Sequence, residues 1–362
     1  MIKYIGSKRM LMPVILDAVR RASGARTVVD LFSGTSRVGH ALKGAGYRVV
    51  SNDHNAYAHT LARCYVQADA EDVLADAGRL VREFNGLNGE PGYFTETFCE
   101  RSRYFQPKNG ARIDAIREAI ARKGLEPELE SVMLVSLMEA ADRVDSTTGL
   151  QMAYLKKWAP RAFNDLELRV PEVLPRSAHG KGEAHCMEAV EAARALEGDV
   201  AYIDPPYNQH SYLGNYHIWE SLVRWDKPEV YGVACKRVDV RERKSEFNSR
   251  PRFAGAMREL LDAVRAPVLI VSFNNEGYLS RDEMESMLGG LWEGEGGGAR
   301  VTTIENDFKR YVGAQIGIHN LKGERVGKVS HLRNKEFLYV VSREDLSDRL
   351  EAATTQYEMF AG

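Results

Sequence analysis

The sequence has no apolar run near the ~18 residues that a membrane-spanning helix needs. Motif-like residues begin directly after Met1, so no signal peptide is expected either. Cysteine is scarce: Cys64, Cys99, Cys186 and Cys235 are scattered, with no paired spacing. That pattern argues against a disulfide framework and a zinc site, and it suits a reducing, cytoplasmic compartment. The nine histidines show no metal-ligand spacing, so no metal is expected. Nor is there an excess of positive charge, since the formal net charge is −2. What remains is an ordinary globular composition, 44% hydrophobic and 28% charged over 362 residues. That length suffices for two domains, or one large domain carrying an insertion.

The distribution of charge is more informative than its sum. Residues 101–123, 236–252 and 307–335 each hold seven Lys or Arg against two or three acidic residues. The stretch 69–90 and the tail 346–362 are acidic. A single charge run usually marks a solvated face, but three basic segments flanking one candidate site fit a phosphate backbone. Candidate contacts are Arg101, Arg103, Lys108, Lys156, Lys157, Arg237, Arg241 and Arg243.

The chain is organised around Val200-Ala201-Tyr202-Ile203-Asp204-Pro205-Pro206-Tyr207. The apolar run reads as a buried strand that two prolines stop, since neither can donate to a sheet ladder. Asp204 is thereby set at the carboxyl end of a strand, the edge where ligands bind in open α/β sheets. Asp204 and the Pro205 carbonyl can both accept from one exocyclic amino group, aiming its lone pair at an electrophile. Pro206 stiffens the turn, and Tyr207 offers a face for a flat base. Upstream, a strand from Thr27 to Leu31 carries Asp30 and feeds a turn through Phe32, Ser33, Gly34 and Thr35 into a helix. Gly34 clears space for close approach of a cofactor, yet neither a full dinucleotide fingerprint nor a phosphate-binding lysine loop is present. Asp53 ends the next strand, where an acidic residue usually meets ribose hydroxyls. It could equally cap the helix that begins near Ala56.

From 69 to about 180 the β–α alternation breaks, and the pattern reads as mostly helical with aromatic-rich loops. Tyr93, Phe94, Phe98, Tyr104 and Phe105 are interleaved with Arg101, Arg103 and Lys108. Such a mixture suits bases and phosphates, and it suits a plain aromatic core just as well. The strand–helix alternation resumes near Glu183 and continues to Val341.

Three motifs in order, Lys3 to Lys8, Asp30 to Thr35 and Asp204 to Tyr207, resemble those of the Dam-like, adenine-N6-specific DNA methyltransferases of the alpha group. Asn208 to Glu220 is similar to the segment that follows the catalytic tetrapeptide in one branch of that family. The resemblance implies an α/β fold, a Rossmann-like seven-stranded methyltransferase sheet from 1–68 and 181–345. It implies an inserted target-recognition domain at 69–180. The implied cofactor is S-adenosylmethionine (AdoMet), held by Tyr4, Gly6, Ser7 and Lys8, by the Asp30–Thr35 turn and by Glu188. The implied substrate is a flipped adenine in double-stranded DNA, with Asp204 to Tyr207 catalytic. A cognate restriction endonuclease and the oligomeric state are left open. The family often has glycine two residues after Gly34, where this chain has Ser36. Alternative readings are the same fold acting on cytosine N4, RNA adenine or a glutamine side chain, and an inactive DNA-binding module. The first group more often begins its tetrapeptide with Ser or Asn.

Overall fold

The structure, a computed structural model, describes residues 1–6, 8–293, 298–309 and 333–344. Ser7, most of the basic segment 307–335, part of the glycine-rich stretch 293–299 and the acidic tail lie outside the described residues. Among the described residues nine strands form: β1 Thr27–Asp30, β2 Arg48–Asn52, β3 Glu183–His185, β4 Val200–Ile203, β5 Val230–Tyr231, β6 Lys236–Arg237, β7 Val268–Asn274, β8 Arg300–Lys309 and β9 Arg333–Ser342. β5 and β6 make a small antiparallel hairpin, and the other seven form one sheet in the order β3-β2-β1-β4-β7-β9-β8. All pairings up to β7 are parallel, whereas β9 runs antiparallel to both of its neighbours.

The central strands read as unbroken apolar runs because both faces of the sheet are covered. Val28, Val49, Val200, Tyr202, Val268 and Ile270 pack under helices Met12–Ser23 and Arg37–Gly44. Val29, Leu31, Ala201, Ile203, Leu269 and Val271 face the other way, beneath Ala189–Ala195, Arg250–Ala263 and Arg281–Gly289. The period of two assigns each residue its layer. From β1 the chain steps outward to β2 and β3, then returns to lay β4 against the other side of β1, with Asp30 opposite Tyr202. The strand order reverses between β1 and β4, so their carboxyl ends open onto a crevice.

The stretch 69–180 is helical only in part. Helices Ala70–Asn85, Pro107–Lys123 and Pro127–Arg143 form as the apolar spacing predicts, the last two each with proline in the first turn. Beyond Arg143 the chain to Glu183 is irregular apart from the single turn Pro160–Phe163. Side chains hold it instead: the Gln151 carbonyl accepts from Tyr104 Oη at 2.7 Å and faces the His217 ring at 2.9 Å. Phe94, Phe98, Tyr104 and Phe105 are buried. Of the two roles open to these aromatics, the core role is the one they fill. Their cluster runs on without a break into Tyr57, Leu61, Tyr216 and Trp219, so the inserted helices share a core with the elements on either side. Among the described residues no helix is long and apolar enough to cross a membrane.

Ser36 explains how the chain manages without a second turn glycine. It takes the left-handed conformation itself, φ 58° and ψ 21°, fully buried and with its hydroxyl unpartnered. An L-residue in that region costs roughly 1–2 kcal/mol, and the buried, unbonded hydroxyl adds to it. Glycine loses more chain entropy on folding, an opposing cost of roughly 0.5–1 kcal/mol. The balance favours Ser36→Gly by about 1 kcal/mol. Thermal melting of the two proteins checks this, and a lower midpoint for the glycine variant would show that the turn is not strained.

Candidate active site

At the carboxyl ends of β1, β2 and β4 lies a cleft with about 1010 Å³ of empty space, its open mouth included. Three sequence segments converge on its floor. Asp30 ends β1 and is buried, and among the described residues no side chain bonds to its carboxylate. Burial pushes its carboxyl up to about 8; the nearby Asp204 and Asp53 add to the shift, and the backbone at Phe32 opposes it. Ser33, Gly34 and Thr35 follow as a tight turn, with Gly34 at φ 50°. A side chain at Gly34 would meet the Tyr4 ring at 3.5 Å, an ordinary contact, so the positive φ is what calls for glycine.

Asp53 clamps this turn. Its Oδ2 accepts from the Gly34 amide at 3.0 Å, and its Oδ1 accepts from the Asn55 amide at 2.9 Å. It therefore does not act as the N-cap of the helix Ala56–Ala62; Asn55 holds that position, without a side-chain cap bond. Burial raises the Asp53 carboxyl, against the pull of His54 and the two amides. Glu188 sits at the rim, 75% exposed, where its Oε1 meets His54 Nδ1 at 3.1 Å. That contact holds Glu188 below the ordinary carboxylate range, against a smaller upward push from burial.

The turn after β4 forms the opposite wall. Asp204 and Pro206 line the cleft, whereas Pro205 is buried behind it. Tyr207 is half-buried and is not among the lining residues. Its hydroxyl accepts from Asn274 Nδ2 at 2.8 Å, and its ring stands at 68° to Phe273. Lys8, assigned by resemblance to the cofactor, also lines the cleft and is itself buried. Its Nζ lies 3.0 Å from Asp204 Oδ1 and also pairs with Glu336 on β9. Burial would lower the Lys8 ammonium, but the two carboxylates hold it well above its ordinary value. Burial likewise lifts the Asp204 carboxyl to about 6, with Lys8 pulling it down and Glu336 pushing it up.

Tyr4 belongs to an aromatic stack that single-residue reasoning missed. Its ring lies 4.5 Å from Tyr216 and 5.2 Å from Tyr212, nearly parallel to both. Gly6, at φ 75°, leaves room for the Tyr212 hydroxyl, which an added Cβ would approach to 3.0 Å. Both partners lie in the segment that follows the tetrapeptide, and the regular spacing of its aromatics was the available signal.

The basic loop 236–252 is divided between two roles. Arg243 reaches into the cleft wall, donating to Glu220 Oε1 at 2.8 Å and to the His54 carbonyl at 3.2 Å. Phe247 also lines the cleft, its ring edge-on to Phe32 at 5.3 Å. Arg237 corrects the sequence reading: it is buried, 1% exposed, and grips Asp226 with two 2.7 Å bonds and Asp239 with two more. A guanidinium so enclosed holds the hairpin to its neighbours and offers nothing to a phosphate. Arg241 is exposed, stacked 3.8 Å from the Tyr231 ring centroid. Elsewhere, Arg101, Lys108, Lys156 and Lys157 are exposed. Lys108 is occupied by Asp165 at 2.6 Å, and Arg103 stacks on Trp158 while donating to the Lys156 carbonyl.

Comparison with known proteins agrees with this geometry. The modification methylase StsI of Streptococcus sanguinis is 30% identical over 302 residues, 79% of this chain and 46% of that protein. Type II methyltransferase M.FokI of Planomicrobium okeanokoites is 31% identical over 305 residues, again 79% and 46%. The chain thus spans about half the length of these two curated relatives. Type II methyltransferase M.NlaIII of Neisseria lactamica is 26% identical over 347 residues, 92% of this chain and 99% of that protein. The model of the D12 class N6 adenine-specific DNA methyltransferases matches residues 4–287, a span that contains the second and third motifs whole and the first from Tyr4 onward, and the chain belongs to this family.

Proposed function

We propose that the chain transfers a methyl group from AdoMet to the N6 amino group of an adenine flipped out of double-stranded DNA. Family membership implies a methyl donor and a DNA substrate. The observation that carries the finer reading is the convergence of two carboxylates from neighbouring strands, buried Asp30 and half-buried Asp204, on one cleft. A buried carboxylate with no cationic side chain beside it calls for a cation, and the α-ammonium of AdoMet is one that the glycine turn leaves room to approach. Asp53 has three of its roughly four acceptor sites in use, which leaves one for a ribose hydroxyl. Glu188 at the rim suits the adenine end of the cofactor.

AdoMet, when bound, supplies an electrophilic methyl group. Asp204 accepts a hydrogen bond from the target amino group, and the Pro205 carbonyl accepts the second. These bonds fix the nitrogen lone pair along the line of attack, so the chain contributes mainly by positioning. Tyr207 presents its ring to the base, with its hydroxyl tied to Asn274. Asp204 must be ionised to accept well, which its position near 6 allows at neutral pH. Flipping delivers the base to this pocket. We assign DNA reading to 69–180, where exposed Arg101, Lys156 and Lys157 lie on irregular segments, joined by Arg241 outside it. The relatives named as modification methylases support a cognate restriction endonuclease as a partner.

Asp204→Ala is expected to abolish methyl incorporation into DNA while leaving AdoMet affinity within an order of magnitude. Long-read modification mapping of host DNA identifies the base and its sequence context. Modified cytosine in place of adenine, or undiminished turnover in the variant, would overturn the reading.

The Asp30 carboxyl yields a second expectation with a definite sign. Its folded value, about 8, exceeds its unfolded value, so its contribution to stability is complete below about pH 4. That contribution is lost as pH rises through 8. Without ligand, the protein should therefore be less stable at pH 8 than at pH 6 by an amount that Asp30→Asn removes. AdoMet binding should release a proton near neutral pH, and the Asp30→Asn substitution should weaken that binding about ten-fold or more. Calorimetry in buffers of different ionisation enthalpy reads both, and a proton count of zero in the wild type would refute the role.

For DNA, Lys156→Glu combined with Lys157→Glu should lower the slope of log K against log salt by about 1 to 2, given roughly 0.9 per phosphate contact. Arg161 is left unchanged, because it holds Asp145 and the Thr147 carbonyl. An unchanged slope would remove this segment from the DNA path.

A further inference from the structure

We propose that Glu336 is a positioning residue for this reaction: acting through Lys8, it keeps the Asp204 carboxylate turned to the cleft with one oxygen free for the substrate amino group. The proposal rests on the methyl-transfer reading above and adds a residue to it. Glu336 lies beyond residue 287, where the family match ends. It does not line the cleft.

The geometry is a three-charge chain. Lys8 Nζ stands between Asp204 Oδ1, at 3.0 Å, and Glu336 Oε1, with both Lys8 and Glu336 less than a tenth exposed. Ser272 Oγ donates to the same Glu336 oxygen at 2.8 Å. Glu336 is on the reversed strand β9, directly opposite Asn274 on β7, and Asn274 holds the Tyr207 hydroxyl. One strand-end pair thus steadies both polar ends of the tetrapeptide, Asp204 through Lys8 and Tyr207 through Asn274.

Charge explains why a second carboxylate is needed. A lone buried ammonium beside Asp204 would pair with it fully and compete with the substrate amino group for its oxygens. Shared between two carboxylates, the ammonium is drawn back toward β9, and the cluster keeps one net negative charge. The groups facing Asp204 are Lys8, Glu336, Asp30, Tyr202, Tyr207 and Tyr212. Lys8 alone among these six is a cation, so its placement decides how strongly Asp204 accepts.

The test compares kcat–pH profiles of the full-length protein on DNA with those of Glu336→Gln and Glu336→Asp. Gln removes the charge and keeps the shape; Asp keeps the charge. The acid limb governed by Asp204 should move to lower pH by about one unit in the Gln variant. Its kcat should fall while AdoMet affinity holds, and the Asp variant should keep its limb near that of the wild type. Equal shifts in both, or no shift in Gln, would overturn the proposal, because a purely structural role predicts loss of stability without a moved limb. Should the Gln variant fail to fold, Ser272→Ala leaves Glu336 more fully to Lys8 and is expected to move the limb upward; an unmoved limb there counts against the proposal. NMR titration of the Asp204 carboxyl carbon in wild type and variants reads the same coupling without turnover. A shift in that titration with no DNA methylation by the wild type would sink the methyl-transfer reading and spare the link from Glu336 through Lys8 to Asp204.

Discussion

The arrangement of the cleft depends on an imbalance of buried charge. Asp30, Asp204 and Glu336 stand at or behind its floor, and Lys8 is the ammonium among them. Isolated buried carboxylates are costly, and a protein normally pairs or neutralises them. Here one carboxylate shares a lysine with another, and among the described residues no side chain bonds to Asp30. The cleft is therefore electrostatically incomplete, in the direction that a cationic ligand would complete. A sulfonium and an ammonium on one small molecule are well matched to it. The raised Asp30 and Asp204 carboxyls are two expressions of that imbalance.

The fold supports the imbalance through chain order. Because β4 lies against β1, two segments about 170 residues apart in the chain deliver Asp30 and Asp204 to adjacent positions, with Asp30 in register with Tyr202. The third acidic group arrives on β9, the strand that runs against the others. A reversed strand brings its beginning to the edge where the parallel strands end, so Glu336, early in β9, reaches the same end of the sheet as Asp204. The direction of strand pairing and the position of the acidic residue act together.

Much of this was legible in the sequence, for a physical reason. Strands buried on both faces are written as short apolar runs, and the groups that serve a site at their ends follow immediately, as Asp30, Asp53 and Asp204 do. The inserted helices were readable from the break in the β–α alternation after residue 69. What local pattern could not supply was pairing at long range. Lys8 and Glu336 are 328 positions apart, and neither neighbourhood announces the other. Arg237 looked like one of seven cations in a basic run, yet Asp226 and Asp239 enclose it once β5 and β6 pair. Exposure separates a structural arginine from a DNA contact, and composition carries no record of it. The chain from 144 to 182, read as part of a mostly helical stretch, is irregular for a related reason, since its order comes from side chains such as Gln151 and Asp145 bonding to distant elements.

The loop that follows β6 then takes on a role different from that of a phosphate grip. Arg237 fixes its base, Arg243 spans the cleft wall to buried Glu220 and the His54 carbonyl, and Phe247 packs on Phe32. The next residue, Asn248, donates to the carbonyls of Asn208 and His210, directly after the Asp204–Tyr207 tetrapeptide. One segment thus touches the turn after β1 at Phe32 and the loop after β4 at Asn208. Glu220 also accepts from the Tyr57 amide at 3.1 Å, and Tyr57 meets the Tyr4 hydroxyl at 3.1 Å. The contacts Tyr4–Tyr57–Glu220–Arg243 and Phe247–Phe32, joined by the chain itself from 243 to 247 and from 32 to the Gly34 turn beside Tyr4, make a circuit around the cleft. Packed and bonded circuits of this kind resist small local shifts. A reaction that depends on holding a nitrogen in line with a methyl group needs such a frame, because misplacement by about 1 Å can cost roughly a hundred-fold in rate.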